Sequence, residues 1–246
     1  MTTFSDLLRR ELARDPGRPL VTFYDHASGE RTELSVTTYA NWVAKAASLL
    51  VEEHDLERGG ALCVDLPAHW LGPVLLGAAW SAGLVVVGPE EAGTADAVVC
   101  GPATLPAHAA RADDVPVLAC ALLPMGVRFA EPLPEGVHDV GVEIWGQPDA
   151  FTAWDPPAAD DPALRGPGLD RTQAELWSAA AAGTLVTDGG RLLSAANPAS
   201  PPEIATFTEP LARGGSLVLV AHPDPARLES TSADERVTDR DQSTRS

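Results

Sequence analysis

Lys45 is the only lysine among the 17 basic residues of this 246-residue chain. Chemistry that needs an amine, a Schiff base or a phosphate-neutralising ammonium for example, therefore has one side chain to draw on. The segment Arg165-Gly166-Pro167-Gly168-Leu169-Asp170-Arg171-Thr172 has the parts of an anion loop. Gly166 and Gly168 free the backbone, Arg165 and Arg171 supply charge, and Thr172 caps a following helix whose N-terminus attracts anions. The same residues also read as an ordinary Gly-Pro-Gly turn followed by a capping threonine. His69 follows an apolar strand, at the C-terminal edge where open α/β sheets take ligands; its other reading is a partly exposed structural imidazole at a helix start. Asn197 precedes Pro198, a common turn pair. Glu90-Glu91 and Asp160-Asp161 are paired carboxylates beside Pro or Gly, with no partner at metal-ligand spacing, and read as solvated loop charges. Cys63, Cys100 and Cys120 are widely spaced in apolar runs, which fits buried thiols and neither a disulfide framework nor a zinc pattern. No hydrolase elbow, zincin motif or complete dinucleotide fingerprint is present.

The elements that must position these groups follow from periodicity. Phe4, Leu7, Leu8, Glu11 and Leu12 fall at helical spacing, and Leu20–Tyr24 with Arg31–Val36 flank Ser28-Gly29 as a hairpin. A second helix starts at Thr37, carrying Ala40, Val43, Ala44, Ala47, Leu50 and Val51. From Ala61 the pattern becomes apolar strands and small-residue helices: strand 61–66, helix 68–82 and strand 84–87, a βαβ unit whose near-continuous apolar strands imply burial on both faces. Strands are expected at 97–100 and 117–120, and a short element near 137–144. Beyond the proline-rich acidic stretch 155–162 come a helix over 172–182, a strand over 191–195, a helix over 202–213 and a strand over 216–220. The expected organisation is an α/β fold of mostly parallel sheets covered by helices, with one subdomain over 1–154, a smaller one over 155–228 and a disordered tail over 229–246.

With 45% hydrophobic residues the chain is long enough for a sizeable core. Its formal charge of −18 repels phosphate backbones and anionic headgroups, so neither nucleic acid nor membrane is an expected partner. No basic start with a long apolar core and no run of membrane-spanning length occurs, which points to the cytoplasm.

Five segments in order resemble the N-terminal half of the adenylate-forming superfamily, which includes acyl-CoA synthetases, luciferases and peptide-synthetase adenylation domains. Pro19-Leu20-Val21-Thr22-Phe23 is similar to its first strand, and Leu34-Ser35-Val36-Thr37-Thr38-Tyr39-Ala40 to the entry of its first long helix. Arg58-Gly59-Gly60-Ala61-Leu62-Cys63-Val64 resembles the Gly-Asp-Arg-Val-Ala turn and strand. Gly77 to Val87 is similar to the Gly-Ala-x-x-Ala-Gly-Ala-Val-Val signature, with Gly88 where Pro is usual. Pro210-Leu211-Ala212-Arg213-Gly214-Gly215 resembles the Pro-Leu-x-x-Gly-Gly turn. The resemblance implies ATP or AMP with Mg²⁺, and an acyl ligand, as the molecules to consider, and places Asn197 near a substrate-pocket element. It also sets the Ser/Thr-Gly-Thr-Thr-Gly-x-Pro-Lys-Gly phosphate loop after Asp161-Pro162-Ala163-Leu164, where this chain has residues 165–172 without the hydroxyl cluster or the lysine. Asp170 there repels a phosphate. The second half of the superfamily, with its nucleotide motif and lysine-bearing lid, has no counterpart here. The implied role is a degenerate, non-catalytic binding or interaction module, with a protein partner as one expectation. The alternative is a divergent adenylating enzyme whose lid comes from a partner chain.

Overall fold

The computed structural model describes residues 2–200 and 203–244. Helix α1 (Phe4–Arg14) begins on a reciprocal cap: Thr3 accepts from the Asp6 N–H and Asp6 accepts from the Thr3 N–H. Strands β1 (Pro19–Asp25) and β2 (Arg31–Ser35) form the expected hairpin. Ser35 caps α2 (Val36–Ser48), which runs on into a π-helical turn, Leu49–Glu53. Then come β3 (Ala61–Asp65), α3 (Leu71–Ala82), β4 (Val85–Val87), β5 (Ala97–Cys100), α4 (Leu105–His108) and β6 (Val117–Ala119). The element expected near 137–144 is β7 (Val137–Asp139) leading directly into α5 (Val140–Glu143). The second half of the chain adds β8 (Pro162–Arg165), β9 (Arg171–Thr172), α6 (Gln173–Ala182), β10 (Arg191–Ser194), α7 (Ala205–Ala212), β11 (Ser216–Ala221), α8 (Pro225–Asp234) and β12 (Asp239–Arg240). Pro202, where the α7 helix was expected to start, lies outside the described residues, as do the last two residues of the tail.

The strands make two sheets, one of seven strands in the order β7-β6-β5-β3-β4-β8-β9 and one of five in the order β12-β10-β11-β1-β2. Among the described residues only the β1–β2 and β8–β9 pairs are antiparallel. The expected α/β class with mostly parallel sheets is what the chain adopts. One continuous core joins both sheets, drawing Val64 and Val86 from the larger, Val21 and Leu217 from the smaller, and side chains from α1, α2, α3, α6 and α7. The tight meeting of α1, α2 and α3 depends on Gly77, where an added Cβ would fall 2.8 Å from Phe4 and from Val43.

The sheets do not divide at 154/155: β8 and β9 complete the larger sheet, and the N-terminal hairpin sits beside β11 in the smaller one. The acidic stretch is also not a free linker. Arg58 holds Asp161 with two hydrogen bonds of 2.7 Å and Asp155 with one of 2.8 Å, and Asp161 accepts from the Ala158 N–H. Within the stretch 229–244, α8 runs on to Asp234 and β12 pairs with β10. Leu228 is buried with Leu193, Val218 and Val220 on the outer face of the smaller sheet, and Val237 packs against them. The polar residues around it are spent on specific partners: Glu235 accepts from Tyr24 and Arg31 and pairs with Arg191, and Asp241 accepts from the buried Ser194 hydroxyl.

Candidate functional site

The β8–β9 hairpin carries all five residues of the candidate anion loop. Gly168, at φ +73°, makes the reversal that only glycine takes without strain. Two of the loop's N–H groups are engaged by carboxylates. Gly166 N–H donates to Asp170 Oδ1 at 3.1 Å, and Thr172 N–H donates to Glu175 Oε2 at 2.8 Å. The Thr172 hydroxyl accepts from the Glu175 N–H and also reaches its carboxylate at 3.1 Å, so the α6 terminus is closed by its own capping box. The bond from the Thr172 N–H holds the Glu175 carboxyl below its ordinary value. Arg165 and Arg171 are exposed, and Arg171 donates to the Asp170 carbonyl. An incoming phosphate would meet two carboxylates where it requires donors.

His69 and Asn197 follow β3 and β10, strands of different sheets, and the fold brings their loops together. Asn197 Nδ2 donates to the Leu66 carbonyl at 2.6 Å, and its Oδ1 accepts from the Ala199 N–H. Asn197 is thus a turn residue that also stitches the two sheets. His69 is not partly exposed, as one reading had it, but 4% exposed, wedged against Phe23 and Trp70 with ring centroids 4.9 and 5.4 Å away. Burial pushes its pKa down to about 4, so the ring is neutral at pH 7. Nδ1 accepts from the Leu71 N–H, which puts the proton on Nε2. That N–H is buried without an acceptor among the described residues.

A cavity of about 300 Å³ opens between α2, β2 and the loop segments that carry Met125 and Trp145. Trp42, Trp70 and Trp145 form its aromatic wall, with Trp42 edge-on to Trp70 at 5.0 Å and to Trp145 at 5.4 Å. The Trp70 indole N–H is buried without a partner among the described residues. Lys45 stands at the rim, 3.1 Å from Asp149 and bonded to the Gln147 carbonyl. An apolar enclosure with a few polar groups is the usual form of a small-molecule site. Reading the sequence for motifs missed it, although Trp42 and Lys45, three residues apart on one helix face, were a signal. The three cysteines are buried and unpaired, and burial pushes the Cys63 and Cys100 thiols up to about 12.

A TIGR03089 family protein of Mycobacterium tuberculosis (strain ATCC 25618 / H37Rv) is 37% identical over 244 residues, covering 96% of this chain and 97% of its own. The chain belongs to the TIGR03089 family. No family model matches it. Among solved structures, a Brucella canis acyl-CoA synthetase superposes with a TM-score of 0.77 at 16% identity over 95% of this chain and 46% of its own. A Mycobacterium tuberculosis fatty acyl CoA synthetase gives 0.72 at 16% identity, over 96% and 48%. A benzoate CoA ligase from Burkholderia xenovorans LB400 gives 0.73 at 17%, over 97% and 49%. The fold is that of the N-terminal half of the acyl-CoA synthetases, and the chain spans about half the length of these enzymes. Among the described residues no helix is long and apolar enough to cross a membrane.

Proposed function

We propose that this chain is a non-catalytic binding module on the acyl-CoA synthetase N-terminal fold, and that it takes a small apolar or aromatic ligand in the tryptophan-walled cavity rather than nucleotide on the 165–172 hairpin. The observation that carries the reading is the engagement of the Gly166 and Thr172 N–H groups by Asp170 and Glu175. A triphosphate bound there would have to break both bonds and then sit against two like charges, in a loop without an ammonium to offset them. Lys45, the sole amine, is committed to Asp149 and Gln147 on another face of the fold. The cavity is lined by Trp42, Trp70 and Trp145, with the Lys45–Asp149 pair at its rim, an apolar enclosure with few polar groups.

Two assays test this together. Pyrophosphate exchange with ATP, Mg²⁺ and a carboxylate panel that includes benzoate is expected to give no signal above a protein-free control; exchange by the chain alone overturns the non-catalytic reading. Thermal shift with ATP, AMP, acyl-CoA, benzoate and indole is expected to show stabilisation by an aromatic probe, lost in Trp42→Ala, and none by nucleotide. The reverse pattern, a nucleotide shift abolished by Arg165→Ala, moves the site to the hairpin.

A further inference from the structure

Of the six histidines in the chain, two converge on one carboxylate far from the hairpin. His54 ends the π-helical turn that extends α2, His138 is the middle residue of the edge strand β7, and Glu143 closes α5. Glu143 Oε2 lies 3.0 Å from His54 Nε2, and Oε1 lies 2.9 Å from His138 Nδ1. One donor atom from each residue falls within 4.8 Å of the others, and the two rings meet edge-on with centroids 4.3 Å apart. We propose that His54, His138 and Glu143 form a divalent transition-metal site, with zinc as the ion the donor set suits.

The local chain conformation serves this convergence. The π turn Leu49–Glu53 inserts an extra residue per turn and delivers His54 toward the sheet edge. Directly afterwards Asp55 sits at φ +53°, a left-handed conformation that lets the chain turn back toward β3. The His54 side chain is 5% exposed while His138 and Glu143 are 38% and 30% exposed, so one ligand is fixed from the interior and two face outward.

The donors match the ion in kind and number. Two imidazole nitrogens and a carboxylate oxygen suit zinc and its borderline neighbours and not calcium or magnesium, which take oxygen alone. Three protein ligands leave a fourth position, on the exposed side, for water or an exogenous group. Donors around tetrahedral zinc stand about 3.3 Å apart, given metal–ligand bonds of about 2.0–2.1 Å. Each imidazole already stands about that far from its own Glu143 oxygen, and one donor atom from each residue lies within 4.8 Å of the others, so an ion would draw the three together by side-chain rotation and take the place of the two hydrogen bonds. Glu52, Glu53 and the overall charge of −18 favour cation entry. Trp145 follows Glu143 by two residues, so the ion would also fasten one wall of the aromatic cavity to α2.

The test uses the full chain without an affinity tag, stripped with EDTA. Equilibrium dialysis against Zn²⁺ is expected to show one equivalent bound, and Co²⁺ to give the visible absorption of a four-coordinate site, displaced by Zn²⁺. His138→Ala and Glu143→Gln are each expected to weaken binding at least tenfold while keeping the circular dichroism and melting curve of the metal-free protein. The near-isosteric Glu143→Gln keeps the result readable if His138→Ala folds poorly. Less than stoichiometric metal at about 100 µM free Zn²⁺, or an affinity that neither variant changes, overturns the proposal and leaves Glu143 as a hydrogen-bonding clamp between two imidazoles.

Discussion

Replacing Gln173 by leucine perturbs the one buried polar side chain that ties three helices together immediately after the hairpin. Gln173 is fully buried. Its Oε1 accepts from the Phe4 N–H at 2.9 Å and from Trp177 Nε1 at 3.3 Å, and its Nε2 donates to the Trp80 carbonyl at 2.9 Å. Phe4 is the first residue of α1, so its N–H has no acceptor within the helix. The Trp80 carbonyl is in the same position at the other end of α3, because the Leu84 N–H goes to Ala79 instead. Leucine fills similar space and leaves two donors and an acceptor unpaired. At about 1–3 kcal/mol for each orphaned group, less about 1 kcal/mol for the more apolar side chain, the expected loss is about 4 kcal/mol. For a chain of this length that corresponds to a Tm lower by about 8–16 °C. The assay is thermal melting followed by near-ultraviolet circular dichroism, where Trp80 and Trp177, edge-on at 5.2 Å, report the junction. Hydrogen exchange at 165–172 should rise in parallel, because α6 no longer anchors the hairpin. A Tm within about 3 °C of the parent would refute the reasoning, since the three groups would then have to be satisfied without Gln173.

Three further outcomes follow from the same structure. His69 titrates near 4 when folded against 6.5 for the free group; the unfolded chain therefore binds the extra proton, and stability falls as pH drops from about 6.5 to 4 and levels off below. The size is about 3 kcal/mol, so urea midpoints of parent and His69→Leu should diverge across that window, and parallel profiles would contradict the buried neutral ring. Deleting residues 225–246 exposes the sheet face under Leu228 and strips Arg191 of Glu235, and should lower Tm by more than about 5 °C; an unchanged melt would contradict that packing. The thiols of Cys63, Cys100 and Cys120 should resist a disulfide reagent in the native protein and all react in guanidinium; rapid native labelling would show that the strands around them open.

What the sequence revealed, and what it hid, divides along local and nonlocal physics. The α1 cap, the strand runs at 61–65 and 97–100, and the turn at Gly214-Gly215 are written in neighbouring residues, and they appear within a few positions of where periodicity put them. The absence of a hydroxyl-rich loop at 165–172 was equally plain, and the Thr172–Glu175 capping box is also local in sequence, whereas the turn of Asp170 back onto the Gly166 N–H needs the loop's actual conformation. Sheet membership was hidden because β1 pairs with β11, nearly 200 residues away. The His54, His138 and Glu143 cluster and the Trp42, Trp70 and Trp145 wall join residues from separate segments whose spacing carries no pattern. The pairing of β12 with β10 across nearly 50 residues is likewise nonlocal and has no trace in the composition of the stretch that carries it.

Titration calorimetry of the chain with Mg·ATP addresses the central claim most directly, since it asks whether the hairpin can hold a triphosphate at all. No saturable heat is expected up to about 1 mM nucleotide, with Asp170 and Glu175 remaining on the loop N–H groups. One-to-one binding in the micromolar range, lost in Arg165→Ala, would contradict it.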